Sequence, residues 1–267
     1  MLYSKVMGGL GNILFITGTI YALAKDRNLP FCISPKTSSV THRDDEDEWF
    51  STILKDVPKS NERPREIDFI FRERNMEIQQ FPIRPNMEIF GYFQSDQYFS
   101  HHKQEIVDLF TSYKKQLNLE EFNKPTIGIH VRRGDYMKLQ HAHVVLPVSY
   151  YNDALHLMAE KLGFESIPQM NEKYTFVIFS DDISWCRQAF FNNKNIIFME
   201  GNKAVEDLYY MNMCSHNIIA NSTFSWWGTY LRDTTNRITI APKNWFNPNF
   251  RNPQEWKTLY RNDMIIL

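Results

Sequence analysis

The segment Gly128-Ile129-His130-Val131-Arg132-Arg133-Gly134-Asp135-Tyr136 runs from an apolar stretch straight into two arginines, a glycine and an acid. A guanidinium is a rigid fork of donors whose geometry matches phosphate oxygens. Residues 126–131 read as a buried β-strand, and Gly134 lets the chain turn as it leaves. Arg132 and Arg133 would then stand at the carboxyl edge of a parallel sheet, where open α/β folds bind ligands, and the ligand they suit is a diphosphate. The plainer alternative is a surface Arg-Arg pair with Asp135 as counterion.

Three further segments share this strand-then-turn character. Gly8-Gly9-Leu10-Gly11-Asn12 follows a first strand and opens a helix. Such a loop brings backbone N–H groups of Gly9 and Gly11 close to an anion, or it is a tight turn with Asn12 as N-cap. It is not a GxGxxG dinucleotide fingerprint. Asn221-Ser222-Thr223-Phe224-Ser225-Trp226-Trp227 offers hydroxyls at a strand-to-helix turn. They could meet phosphate oxygens or simply cap the helix. Ser180-Asp181-Asp182 ends another strand, where a carboxylate can grip a base or ribose, move a proton, or cap the next helix. Glu206-Asp207 opens a further helix. There the acids either favour the helix dipole or accept guanine N–H groups.

Other patterns are weaker. His141 and His143 are spaced to share a strand face, but no Cys or carboxylate partner lies at metal-ligand spacing. The acidic run 44–48 reads as a solvated loop. No metal ligand set is expected from spacing.

These segments need a scaffold that alternates strands and helices. Strands are expected at 2–6, 30–34, 88–94, 126–131, 174–179, 195–199, 216–220 and 237–241. Helices are expected at 13–25, from Asp96 to about Leu117, and at 149–162, 183–192, 204–214 and 224–232. The stretch 37–65 reads as loop with one short helix near 49–54. This alternation means parallel βαβ units. The expected organisation is an N-terminal lobe over 1–122, a nucleotide-binding lobe over 123–241, and a tail, 242–267, crossing back over the surface.

Composition sets the outer limits. The chain has 267 residues with a net charge of −1, so no global basic field draws in nucleic acid and any phosphate needs a local cluster. Its three cysteines form no CxxC pair, which fits reduced thiols. No basic-then-apolar leader and no long apolar span is legible. The expectation is a cytoplasmic chain, or one peripheral to a membrane where glycans are assembled, without an anchor of its own.

In this order the segments resemble the α-1,2-fucosyltransferase family. Its members carry a Gly-Gly-Leu-Gly-Asn start (here Gly8 to Asn12), a Gly-Tyr-Phe-Gln-Ser segment (Gly91 to Ser95), and a His-x-Arg-Arg-Gly-Asp-Tyr motif (His130 to Tyr136). They also carry a Ser-Asp-Asp strand end (Ser180 to Asp182) and an Asn-Ser-Thr-Phe-Ser-Trp-Trp motif (Asn221 to Trp227). The resemblance implies a GT-B-like fold of two Rossmann-like lobes with parallel sheets, the C-terminal lobe binding GDP-fucose. It implies an inverting, metal-independent transfer to the 2-hydroxyl of a terminal galactose or similar sugar of a glycan acceptor, with no cofactor. Arg132 would grip the diphosphate with help from Arg133, and His130 would lie near the nucleoside. Asp207 would read guanine, Asp181 would contact the donor, and Ser222, Thr223 and Ser225 would meet the phosphates. Gly9, Gly11 and Asn12 would also serve the donor, and Tyr92, Gln94 and Tyr136 the acceptor. Asp135 is either a proton acceptor or the ion-pair partner of an arginine. The chain departs from the family at Ile13 and Ile16, where Gln is usual. A Gln facing the cleft could bond a hydroxyl. That departure keeps two rivals in view: a GDP-sugar-binding protein without transfer, and a fucosyltransferase with a different acceptor or linkage.

Overall fold

The computed structural model describes residues 1–35, 43–190, 193–232 and 236–267. They form two α/β units: Met1–Leu117 with Gln254–Arg261, and Asn118–Pro253 with Asn262–Leu267. Among the described residues no helix is long and apolar enough to cross a membrane.

The first unit holds β1 (Leu2–Lys5), α1 (Leu10–Arg27), β2 (Phe31–Ser34), α2 (Arg43–Ser51), β3 (Phe69–Arg72), β4 (Met87–Phe90) and α3 (Lys103–Thr111). Its sheet runs β2-β1-β4-β3, all parallel. Helix α1 begins three residues earlier than its apolar spacing predicts. Gly8, at φ +74°, makes the turn and Gly9 is the N-cap without a side-chain bond, so Gly11 and Asn12 lie in the first helical turn and Asn12 does not cap. Ile13 and Ile16 are fully buried. They belong to the core of this unit.

Several expectations are corrected here. The acidic run is part of α2 rather than loop, and residues 36–42 lie outside the described residues. Strand β3 was not expected. Strand β4 stops at Phe90, because the chain bends at Gly91 and Phe93, at φ +50°, leaves the extended region. The helix expected from Asp96 to Leu117 is broken into 3-10 turns at Asp96–Tyr98 and Ser100–His102, then α3, then a 3-10 turn at Ser112–Gln116. Phe99, at φ −146° and ψ 0°, is the non-helical joint.

The second unit holds β5 (Thr126–Val131), α4 (Val148–Lys161), α5 (Ile167–Lys173), β6 (Thr175–Ser180), α6 (Ile183–Ala189) and β7 (Ile196–Phe198). It continues with α7 (Ala204–Met213), β8 (His216–Ile218), α8 (Thr223–Tyr230), β9 (Thr239–Ala241) and β10 (Met264–Ile266). The sheet order is β10-β9-β8-β5-β6-β7, parallel throughout. The chain winds outward from β5 to β7, then returns past β5 to β8, β9 and β10. This is the doubly wound order of nucleotide-binding sheets, with its switch point between β5 and β8. Ile127, Ile129, Val131, Phe176 and Ile178 face the layer of α4, α5 and α6. Val177 and Phe179 face α7 on the other side with Met211 and Cys214. The tail is not only a surface strap: Gln254–Arg261 pack in the first unit, where the buried Ser95 hydroxyl donates to the Thr258 carbonyl at 2.6 Å, and β10 completes the second sheet. Helix α5 was also not expected.

Burial of Ile13 makes a direct prediction. Ile13→Gln is expected to lower stability by about 2–4 kcal/mol, from lost apolar burial and an unpaired amide. Urea unfolding of the variant beside the parent checks it, and an unchanged midpoint would remove Ile13 from the core.

Candidate donor-phosphate site

The register of β5 against β6 builds the site. Val131 pairs with Ser180, so Arg132 and Arg133 leave β5 beside Asp181 and Asp182 leaving β6. Arg132 Nη1 lies 3.0 Å from Asp181 Oδ2, and its Nη2 lies 2.8 Å from Asp135 Oδ1. The other Asp181 oxygen accepts the Arg133 backbone N–H at 2.9 Å. One carboxylate thus fixes both the guanidinium and the turn. Gly134 is needed for that approach, since a Cβ there would lie 2.6 Å from Asp181 Oδ2.

The two arginines have different settings. Arg133 Nε bonds Asp182 at 3.0 Å, and its guanidinium lies 4.2 Å from the centre of the Trp185 ring. Asp182 also caps α6 through the Trp185 N–H at 3.1 Å. Arg132 is 28% exposed and directs one N–H of each Nη to a carboxylate. A guanidinium has five N–H donors, so three stay available to a ligand. The Arg132 guanidinium also sits 5.6 Å from the Tyr136 ring centre. Asp135 is therefore the ion-pair partner of Arg132.

Behind the arginines stands a brace that sequence reading missed. The Tyr136 hydroxyl donates to the Asn221 carbonyl at 2.9 Å, and its ring stacks on His143 with centres 4.2 Å apart. Asn221 Nδ2 donates to the carbonyls of Val144 at 3.0 Å and Trp245 at 2.8 Å. His141 turns instead to Phe250, so the two histidine rings go to different partners. Burial pushes the Tyr136 phenol well above its ordinary range. It acts as a neutral strut.

At the switch point, Ser222 caps α8 by accepting the Phe224 N–H at 3.3 Å. Thr223 is half-buried in the first turn, where backbone N–H groups point out of the helix start. The Ser225 hydroxyl is buried and donates to the carbonyls of Ala220 and Ser222. His130 sits under this turn, its ring 5.6 Å from Phe224. Burial first, and the Arg132 charge second, push its pKa down to about 3, so the imidazole is neutral. Its Nδ1 is buried without a partner among the described residues.

Asp207 lies in the first turn of α7, where Asn202 Nδ2 donates to it at 2.9 Å. Desolvation raises its carboxyl to about 6.

In the first unit, Asn12 Oδ1 accepts Gln94 Nε2 at 2.8 Å, which ties the Gly9–Asn12 loop to the loop after β4. Tyr92 is exposed. Glu73, not singled out by sequence, accepts the N–H of Tyr92 at 2.7 Å and of Phe93 at 3.1 Å. It holds Phe93 in a left-handed conformation that costs about 1–2 kcal/mol.

The switch point of this doubly wound parallel unit, where such sheets commonly take their ligands, thus gathers two arginines, a helix start and a neutral imidazole. Glycosyl transferase family 11 matches residues 53–266, and the chain belongs to that family. It is 31% identical over 191 residues to the α-1,2-colitosyltransferase of Escherichia coli, covering 65% of this chain and 63% of that protein. It is 33% identical to the O-antigen biosynthesis glycosyltransferase WbnK of E. coli, over 60% of this chain and 56% of that one. Rabbit (Oryctolagus cuniculus) galactoside α-(1,2)-fucosyltransferase 2 matches at 26% over 92% of this chain and 70% of its own length. The chain thus spans under two thirds of the two bacterial relatives.

Asp207 supplies a pH test. Its folded pKa lies above its unfolded value, so its contribution to stability is present below about pH 4 and lost as pH rises through about 6. Asp207→Asn is expected to gain up to about 2 kcal/mol relative to the parent between pH 4 and pH 8. Thermal midpoints of both proteins at the two pH values check this, and a constant difference would contradict it.

Proposed function

We propose that this chain transfers an L-fucose-type sugar from a GDP-linked donor to a glycan hydroxyl, the 2-hydroxyl of a terminal galactose being the first choice, with inversion and without a metal. The observation that carries this reading is Arg132: a guanidinium held by two carboxylates, with three donors left, at the switch-point edge beside the start of α8. The family, and relatives named for α-1,2 transfer, support the same chemistry.

The sugar leaves through an oxocarbenium-like state while negative charge gathers on the β-phosphate. Arg132 stabilises that charge without reorganising, because Asp135 and Asp181 already fix its plane. Ser222, Thr223 and the α8 N–H groups complete the phosphate cradle. His130, a neutral imidazole under the α8 turn, lies near the nucleoside part, and an ionised Asp207 accepts two guanine N–H groups. Arg133, tied to Asp182 and Trp185, orients the turn. Gly9, the first turn of α1 with Gly11 and Asn12, and the Tyr92–Gln94 loop stand at the carboxyl edge of the first sheet, and Tyr92 and Gln94 serve the acceptor. Because Ile13 and Ile16 are core residues, the departure there lends nothing to a binding protein without transfer. A second reading of the donor has a specific basis: the colitosyltransferase likeness favours testing a 3,6-dideoxy sugar nucleotide beside GDP-fucose.

Arg132→Ala is expected to lower transfer several hundredfold, as loss of a charge stabiliser worth roughly 3–4 kcal/mol. Product formation from GDP-fucose, measured in EDTA with lactose and with type 1 and type 2 disaccharides, is the assay. A variant with near-normal turnover would overturn the role of Arg132. A parent protein that transfers only when a divalent ion is restored would overturn the metal-free step.

A further inference from the structure

A second cluster lies in the first unit, at the far end of α1. Asp26 is in the last turn of α1, while His101 and His102 form the 3-10 turn that precedes α3. His101 Nε2 lies 3.0 Å from Asp26 Oδ2, and His102 Nε2 lies 2.8 Å from Asp26 Oδ1. One ligand atom from each of the three residues falls within 4.8 Å of the others. We propose that Asp26, His101 and His102 bind a divalent transition-metal ion of the zinc class, as a brace between α1 and the segment that leads into α3.

The donor set argues for this. Two imidazole nitrogens and a carboxylate oxygen are the ligands of open zinc sites, with a fourth position for water. In a tetrahedral site with bonds of about 2.0–2.1 Å the ligand atoms stand roughly 3.3 Å apart. The nitrogen–oxygen separations here need to open by only a few tenths of an ångström. The outer shell is also in place. His102 Nδ1 lies 2.9 Å from Glu105 Oε1, and the other Glu105 oxygen takes Lys25 at 2.6 Å and the Tyr21 hydroxyl at 2.9 Å. A ligand histidine commonly donates its second ring N–H to a carboxylate, which fixes the tautomer and ring plane. With that proton on Nδ1, Nε2 of His102 is the atom that would bind an ion, 2.8 Å from an Asp26 oxygen. Lys25 does not oppose an ion strongly, since its charge is paired with Glu105.

The position indicates a structural ion. Asp26 lies sixteen residues along α1 from Leu10, roughly 24 Å at 1.5 Å per residue. It is therefore at the opposite end of the helix from the Gly8–Asn12 loop. The ion would hold α1 against the Ser100–His102 turn that leads into α3, and it takes no part in the transfer chemistry proposed above. The inference is independent of that function.

The test uses the full chain, stripped with chelator and titrated with zinc chloride by calorimetry and by competition with a zinc chromophore. One Zn2+ per chain is expected, with a rise in thermal midpoint and no comparable effect of Mg2+. Glu105→Gln is expected to weaken zinc about 10–100-fold. His101→Gln and His102→Gln, at exposed and half-buried surface positions, are expected to abolish stoichiometric binding while circular dichroism stays that of the parent. No uptake by the parent protein would sink the proposal. So would uptake that survives both histidine substitutions, which would place the ion elsewhere.

Discussion

The second unit depends on one carboxylate. Asp181 accepts from the Arg132 side chain and from the Arg133 backbone, so it fixes at once a charge and the turn that carries it. The parallel register of β5 and β6 makes this contact possible, and Gly134 makes it close enough. Partly exposed ion pairs contribute little to stability. In the transfer proposed above their value lies in orientation: a guanidinium already fixed in plane costs no reorganisation when charge develops in front of it. The other anchors follow the same logic. Trp185 and Asp182 hold Arg133, Tyr136 and Asn221 hold the turn from behind, and burial keeps His130 neutral so that it does not repel Arg132.

The first unit uses the same construction for another surface. Its loops also leave the carboxyl ends of parallel strands, and Glu73 and the Asn12–Gln94 bond shape them. Helix α1 joins two features in one element. Its first turn carries the glycine loop, and its last turn presents Asp26 to two histidines. A rigid, largely buried helix is a suitable beam between them.

Much of this was legible in the residues. The strand before Arg132, the strand before Asp181 and the turn before α8 each show an apolar run ending in polar residues, and all three fall where that pattern places them. Their meeting point follows from parallel winding alone. What escaped has physical reasons. Strands β3 and β10 and helix α5 are short, and nothing in their spacing separates them from loop. The break at Phe99 comes from tertiary packing, since the flanking residues suit a helix. In sequence Asn221 looks like part of a hydroxyl turn, but its amide acts on carbonyls at Val144 and Trp245. Asp26 and His101 are 75 positions apart, so no ligand spacing could reveal them. Glu73 acts on backbone, which leaves no pattern in sequence. The Gln-to-Ile departures looked like cleft chemistry because helical spacing does not tell which face of α1 is buried, and this helix is buried on most sides.

The proposed transfer stands on Arg132 as the β-phosphate contact. Calorimetric titration of the parent and Arg132→Ala proteins with GDP and with GMP isolates that contact. The parent is expected to bind GDP at least about tenfold more tightly than GMP, a difference of about 1.4 kcal/mol or more, and the variant to lose most of that difference while still binding both. Equal affinities in the parent, or a difference that persists in the variant, would contradict it.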